Sequence, residues 1–400
     1  MFIKRLSNGV TCSIRERNDL NSVTVSVWIR AGAAYEDDRT RGIAHFLEHM
    51  MFNGTENFPP GYIDREVEFL GGEINAATSY DFTYYYINLP YEHGERAVEL
   101  LSELVLHPLF SEEMVEKERP IVLEEIARSK DNPQEIFIET FMEKLYRKAP
   151  YRYPILGFEE TVSAFTSEDV KGFYEKFYTP DRITVSIAGK VNTEAMFELV
   201  EEKFGTFERS SKVDEPEVEE AITPAEKFEV KHPAVAVPNL IFGWRLPPCS
   251  REDVYFEILD SLLSSGRSSI LYQRLRETGI AYAAYSNYQN LLFGSNFFIA
   301  VITDKLEESE KAVRKVVEEV VSISEEEFEF AKAKLLKGEI FGRESGEAEA
   351  DAIGYALTVM RDPDYYRKFF EDLKKANFKT FRERISFLLE EPLIGVLETE

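Results

Sequence analysis

Val23-Thr24-Val25-Ser26-Val27-Trp28-Ile29-Arg30 alternates apolar and polar residues, as a half-buried strand does. The stretch Thr40 to Gly54 that follows changes period: Ile43, Phe46, Leu47, Met50 and Met51 keep helical spacing, Thr40 is the expected N-cap and Asn53-Gly54 the stop. The same order returns in the second half, where the strand Leu240-Ile241-Phe242-Gly243-Trp244-Arg245 precedes a helix from about Glu252. A repeated strand-then-helix opening predicts an α+β protein of two tandem related domains, each a mostly antiparallel sheet packed with helices.

Outward from the first opening, Gly71 to Ser79 and Phe82 to Leu89 read as a hairpin. Helical patterns occupy roughly 94–106, 111–130 and 133–147, and the half closes with the strand Ile183 to Gly189 and a helix to about Phe204. The chain then turns polar and acidic, with Pro216 and Pro224 and little periodicity, which reads as an exposed linker. The expected division is therefore 1–208, a linker at 209–226, and 227–400. The second half adds a strand from Asn296 to Thr303, further helices and a last strand from Leu393 to Leu397.

Composition narrows the function classes. A formal net charge of -26 argues against nucleic-acid or anionic-membrane partners, which need clustered cations. No apolar run approaches the roughly 20 residues that span a bilayer. The first residues, Met1 to Gly9, offer no apolar signal-peptide core, and a cytoplasmic protein is expected. Cys12 and Cys249 are too few for a disulfide framework and read as inert thiols.

The chemistry sits in His45-Phe46-Leu47-Glu48-His49, which puts two imidazoles at i and i+4 and a carboxylate at i+3 on one helix face. With a further carboxylate from elsewhere, two neutral imidazoles hold Zn²⁺ in an open site, and Glu48 is placed to take a proton from water. Five histidines and 73 acidic residues predict roughly 0.01 chance occurrences of this pattern in such a chain. The competing reading, two structural core histidines, leaves a carboxylate on an apolar helix in need of its own partner. The second-half helix, Val254-Tyr255-Phe256-Glu257-Ile258-Leu259-Asp260, has no histidine, so only the first copy can carry the site.

The run His45 to Thr55, H-F-L-E-H-M-M-F-N-G-T, resembles the inverted zinc motif of the pitrilysin family of metallopeptidases, and the resemblance covers nearly the whole chain. It implies a zinc-dependent endopeptidase with one Zn²⁺ per chain. Glu118-Arg119-Pro120-Ile121-Val122-Leu123-Glu124-Glu125-Ile126 is similar to the downstream helix that supplies the third ligand, about 76 residues past the second histidine, which points to Glu125. Physical reasoning agrees, since Glu125 has Ile121 and Val122 one turn before it, whereas Glu124 can pair with Arg128 on a solvated face. Glu118, two turns before Glu125, is expected to orient a histidine ligand, or else to be a surface charge if Pro120 bends the helix.

The resemblance implies two further features. Asn75-Ala76-Ala77-Thr78-Ser79 is similar to the family segment that offers a strand edge to substrate, with Asn75 and Ala76 at the matching positions; main-chain pairing would tolerate many sequences. Leu275 to Tyr282 looks like the segment carrying an Arg and Tyr pair, here Arg276 and Tyr282, that holds substrate and polarises the scissile carbonyl, although the spacing is one residue shorter than in relatives. Family members enclose peptides between two halves of a clamshell, and this chain supplies one half. A homodimer, or a heterodimer with a related chain, is therefore expected, acting on peptides or unstructured segments. The alternative is a non-catalytic substrate-binding subunit of a heteromeric peptidase, against which the intact ligand set argues.

Overall fold

The structure, a computed structural model, describes residues 1–219 and 222–400; Glu220 and Ala221, inside the expected linker, lie outside the described residues. Two sheets organise the chain. The first joins β1 (Phe2–Arg5), β2 (Thr11–Glu16), β3 (Ser22–Ile29), β4 (Glu73–Thr78), β5 (Thr83–Pro90) and β6 (Ile183–Gly189) in the order β1-β2-β6-β3-β5-β4. The second joins β7 (Lys227–Lys231), β8 (Asn239–Arg245), β9 (Ala283–Gln289), β10 (Asn296–Ile302) and β11 (Leu393–Glu398) in the order β7-β11-β8-β10-β9. Without β1, the first sheet visits its strands in the same sequence as the second, and each sheet has one parallel pair, β2 with β6 and β7 with β11. The α+β class and the internal repeat follow from this shared topology.

The compact units are not contiguous along the chain. One takes 1–127, 153–216 and 342–366, and the other 128–152, 217–341 and 367–400. Two helices account for the interleaving. Gly346–Thr358, from the second half, packs on β2, β3 and β6, where Ser186 donates to the Ala350 carbonyl at 2.8 Å. Pro133–Leu145, from the first half, packs on β8 and β11. Close approach in both places depends on glycine: a Cβ on Gly354 would sit 2.2 Å from Trp28 Nε1, and one on Gly243 would sit 2.3 Å from the Phe141 ring. Each unit thus completes its sheet with a helix borrowed from the other half of the sequence, unlike the expected break at 209–226, although one crossing, at 216/217, falls inside that stretch.

This exchange also changes the reading of β3. Its alternation predicts one solvated face, yet Val23 to Ile29 are all buried. The even positions Thr24 and Ser26 lie under Gly346–Thr358, and Ser26 is satisfied by the Ser186 carbonyl and the Trp28 indole N–H. The odd positions Val23, Val25, Val27 and Ile29, with Tyr85, Ile87 and Leu89 of β5, form the core on the opposite face, against the helix Gly94–Leu106. Part of the expected linker is also anchored rather than exposed. Glu219 is buried and accepts from the backbone N–H groups of Arg147, Lys148 and Ala149 and from the Arg245 guanidinium. No helix among the described residues is long and apolar enough to cross a membrane.

Candidate metal centre

The helix Ile43–Met51 follows β3 and turns Ile43, Phe46, Leu47, Met50 and Met51 into the core, which leaves His45, Glu48 and His49 along its other side. Thr40 does not cap it; that side chain closes a turn with Asp37 instead. The helix starts after Gly42, whose φ is 94°, and its orphan N–H groups are met by the buried carboxylate of Glu36, which accepts from Gly42 N and Ala44 N at 2.9 Å each. Burial pushes the Glu36 carboxyl up to about 8, against the pull of those two donors.

Facing this helix is Glu112–Lys130, which runs unbroken through Pro120 and so brings Glu118 and Glu125 to the same surface, two turns apart. Glu125 Oε2 lies 3.7 Å from His45 Nε2 and 3.6 Å from His49 Nε2, and the three donor atoms all fall within 4.8 Å of one another. These separations exceed a hydrogen bond, and ligand bonds near 2.1 Å give a tetrahedral edge of about 3.4 Å. Two imidazoles and one carboxylate, with a side left open, suit Zn²⁺. Among the described residues this is the one such group. Burial, helped by the neighbouring His49, drives the His45 imidazole down to about 4, so it is neutral and able to ligate.

Glu118 is 7% exposed, so it is no surface charge. It receives His49 Nδ1 at 2.9 Å and Asn53 Nδ2 at 2.7 Å. The hydrogen bond to Glu118 raises the His49 pKa against burial; burial pushes Glu118 up, but the bonds from His49 and Asn53 outweigh it and leave the carboxyl below its usual range. With Nδ1 committed to Glu118, His49 presents Nε2 toward Glu125. Glu48 is half-buried; burial raises its pKa, and Thr78 Oγ1 donates to its Oε2 at 2.5 Å.

Thr78 ends β4, the edge strand of its sheet, which pairs with β5 alone. Asn75 and Ala76 belong to the same strand, opposite Tyr86 and Tyr85. Ala76 shares the face of Thr78, whereas Asn75 is exposed on the other face and turns its Oδ1 onto the Ala76 N–H at 2.9 Å. The outer edge of β4 carries backbone groups that no described strand takes. Arg276 and Tyr282 belong to the other compact unit. Both are exposed there, with the Tyr282 hydroxyl 3.1 Å from Asp304 Oδ2. Arg276 lies on a π-helical turn, Tyr272–Arg276, just before the Gly279 turn where the spacing is short.

Sequence reasoning names Thr78 only as part of a strand and misses Glu36. Thr78 could have been found from its parity with Ala76 on an edge strand, whereas nothing in Tyr35-Glu36-Asp37-Asp38 separates a buried acid from its charged neighbours.

Comparison with known proteins gives the family and the fold. Residues 13–159 match the family described as insulinase (peptidase family M16), and residues 164–335 match the peptidase M16 inactive domain. An uncharacterised zinc protease of Bacillus subtilis is 33% identical over 297 residues, covering 72% of this chain and 71% of its own length. An uncharacterised zinc protease of Rickettsia felis is 30% identical over 361 residues, covering 88% and 86%. Among solved structures, a protease from Helicobacter pylori superposes with a TM-score of 0.91 over 99% of both chains at 23% identity, a likeness of fold.

Proposed function

The chain belongs to peptidase family M16, of the pitrilysin type, and on that premise we propose that it is a zinc-dependent endopeptidase of peptides and unstructured segments. The observation that carries this reading is the convergence of His45 Nε2, His49 Nε2 and Glu125 within 4.8 Å beside a half-buried Glu48. His45, His49 and Glu125 would hold the ion. Bound there, zinc supplies Lewis acidity, which polarises a carbonyl and makes water a stronger acid.

The remaining steps belong to the chain's own groups. Glu48 takes the proton of the attacking water and returns it to the leaving amine; the burial that raises its pKa suits a group that must hold that proton in between. Thr78, having one proton, spends it on Oε2 of Glu48 and leaves Oε1 for the water. Glu118 keeps His49 in one tautomer and orientation. The open edge of β4 at Asn75 and Ala76 takes the peptide as an added strand, with backbone hydrogen bonds supplying affinity for many sequences.

In this reading the active assembly is a dimer around an enclosed chamber, with Arg276 and Tyr282 of one copy serving the metal centre of the other as donors to the developing oxyanion. It works in the cytoplasm, in keeping with two cysteines that form no disulfide among the described residues, one of them, Cys12, buried with its thiol pushed up to about 12. Digestion of a mixed unstructured peptide pool by the zinc-loaded protein, read by mass spectrometry beside Glu48→Gln, tests the proposal. Cleavage lost in the variant supports it; no cleavage by the wild type overturns it for the isolated chain.

A further inference from the structure

The face of the first sheet that carries Gly346–Thr358 also bears, at the end of that helix, a cavity of about 370 Å³. Arg5, Arg30, Arg182, Arg361, Thr184 and Thr358 line it, and all belong to one compact unit. In a chain of net charge -26 this is a concentration of the opposite sign: four guanidinium groups meet one carboxylate on the wall, Asp181, and a second, Glu215, nearby.

Part of this cluster has a structural job. Arg182 donates through Nε at 2.8 Å and through Nη2 to the Arg30 carbonyl, and its guanidinium lies 4.7 Å from the Tyr35 ring centre. Arg5 likewise donates through Nε to the Gly9 carbonyl at 3.1 Å, whereas the remaining groups are not used up in this way. Arg30 is 8% exposed, its Nε has no hydrogen-bond partner, and Glu215 stands 3.6 Å from its Nη2, beyond a normal hydrogen bond. Thr358 is 3% exposed and its Oγ1 has no partner. Arg361 makes no hydrogen bond or ion pair among the described residues, and its φ of 51° holds a bulky residue in the left-handed region. Buried donors without acceptors are rare in native proteins, and here two residues that carry them, Arg30 and Thr358, line one cationic cavity.

We propose that this cavity is a binding site for a compact oxyanion of the phosphate type, either the free ion or the phosphate group of a small metabolite. Several oxygens and a double negative charge match guanidinium forks and a hydroxyl, as a single carboxylate does not, and the volume lies in the range of small-ligand sites. None of these residues is a ligand or base of the metal centre, so the proposal stands whether or not the chain is a peptidase.

Isothermal titration of the full-length, zinc-loaded protein with inorganic phosphate, at ionic strength matched with chloride, tests it. Saturable binding is expected, with a phosphate-dependent rise in the unfolding midpoint. Arg30 is too buried to vary safely, so Arg361→Ala and the near-isosteric Thr358→Val are the discriminating variants. Loss of the charged contact in Arg361→Ala should weaken binding by roughly tenfold or more, and Thr358→Val should weaken it less. A parallel titration with adenosine monophosphate separates the two sources: tighter binding than phosphate assigns a phosphate ester, equal or weaker binding the free ion. No saturable binding by the wild type, or an affinity unchanged in both variants, which would place phosphate elsewhere, overturns the proposal.

Discussion

The helix Ile43–Met51 after β3 and the helix Val254–Ser264 after β8 occupy the same place in two sheets of the same strand order, yet their polar groups are employed in opposite ways. In the first, His45, Glu48 and His49 meet partners: Glu125 across the way, Thr78 on the edge strand, Glu118 behind His49. In the second, no cation among the described residues faces Glu257 or Asp260. Asp260 accepts from the Ser286 hydroxyl at 2.6 Å and is raised by burial; Glu257 is pushed up to about 8 by burial and then by the nearby carboxyls of Asp260, Glu339 and Asp253. The difference teaches that topology delivers a helix to a place, while the groups brought to face it decide whether its polar side chains find partners.

The largest effect should come from breaking this contrast at the base. Glu48→Gln is expected to lower kcat by roughly 10²- to 10⁴-fold with zinc content unchanged, whereas Glu257→Gln should leave turnover as it is. Equal losses in the two variants, measured on one peptide with metal analysis alongside, would show that the two helices do not differ in kind.

The next test asks whether the second unit serves the first unit of another copy. Arg276→Ala and Glu48→Gln chains, each inactive alone, should together recover about a quarter of wild-type activity, since random pairing makes half the dimers mixed and one site in each whole. No recovery under subunit exchange verified by native mass spectrometry removes the sharing.

A smaller loss is expected at Thr78. Removing one hydrogen bond to a charged group costs about 1.5–3 kcal/mol, so Thr78→Val should lower kcat by roughly ten- to a hundredfold with little change in KM, and Thr78→Ser should recover most of it. A loss in KM alone, or no rescue by serine, would reduce Thr78 to a packing residue of β4.

Much of this was legible before any coordinates. The ligand helix declares itself through periodicity and a three-residue chemical pattern, and both openings, β3 and β8, were readable because short stretches rich in β-branched and aromatic residues are strong local signals. What stayed hidden depends on residues far apart in sequence. Alternation in Val23 to Arg30 says that one face is polar, and cannot say that Gly346–Thr358 buries that face through Ser186 and Trp28. The strand β9, Ala-Ala-Tyr-Ser-Asn-Tyr-Gln, has no β-branched residue to announce it and is fixed by its pairing with β10. Glu36 became a cap only because the chain between it and Gly42 folds back, which leaves no periodic trace.

The smallest expected effect is a stability difference at Glu257, and it tests whether the unpaired acid costs what its surroundings imply. Its folded pKa of about 8 lies above the ordinary carboxylate range, near 4.3, that it has when unfolded. Between those values the folded chain holds a proton that the unfolded chain has released. Stability from this group therefore falls as pH rises through that window, and it is unaffected below the unfolded value. Glutamine has no proton to lose, so Glu257→Gln should match the wild type near pH 4.5 and unfold at progressively higher temperature than the wild type as the pH approaches 8. A gap between the two melting temperatures that stays constant from pH 5 to pH 8 would mean that Glu257 is ionised in the folded protein. In that case the second helix would be hiding a cationic partner, and its contrast with the first would be one of ligands alone.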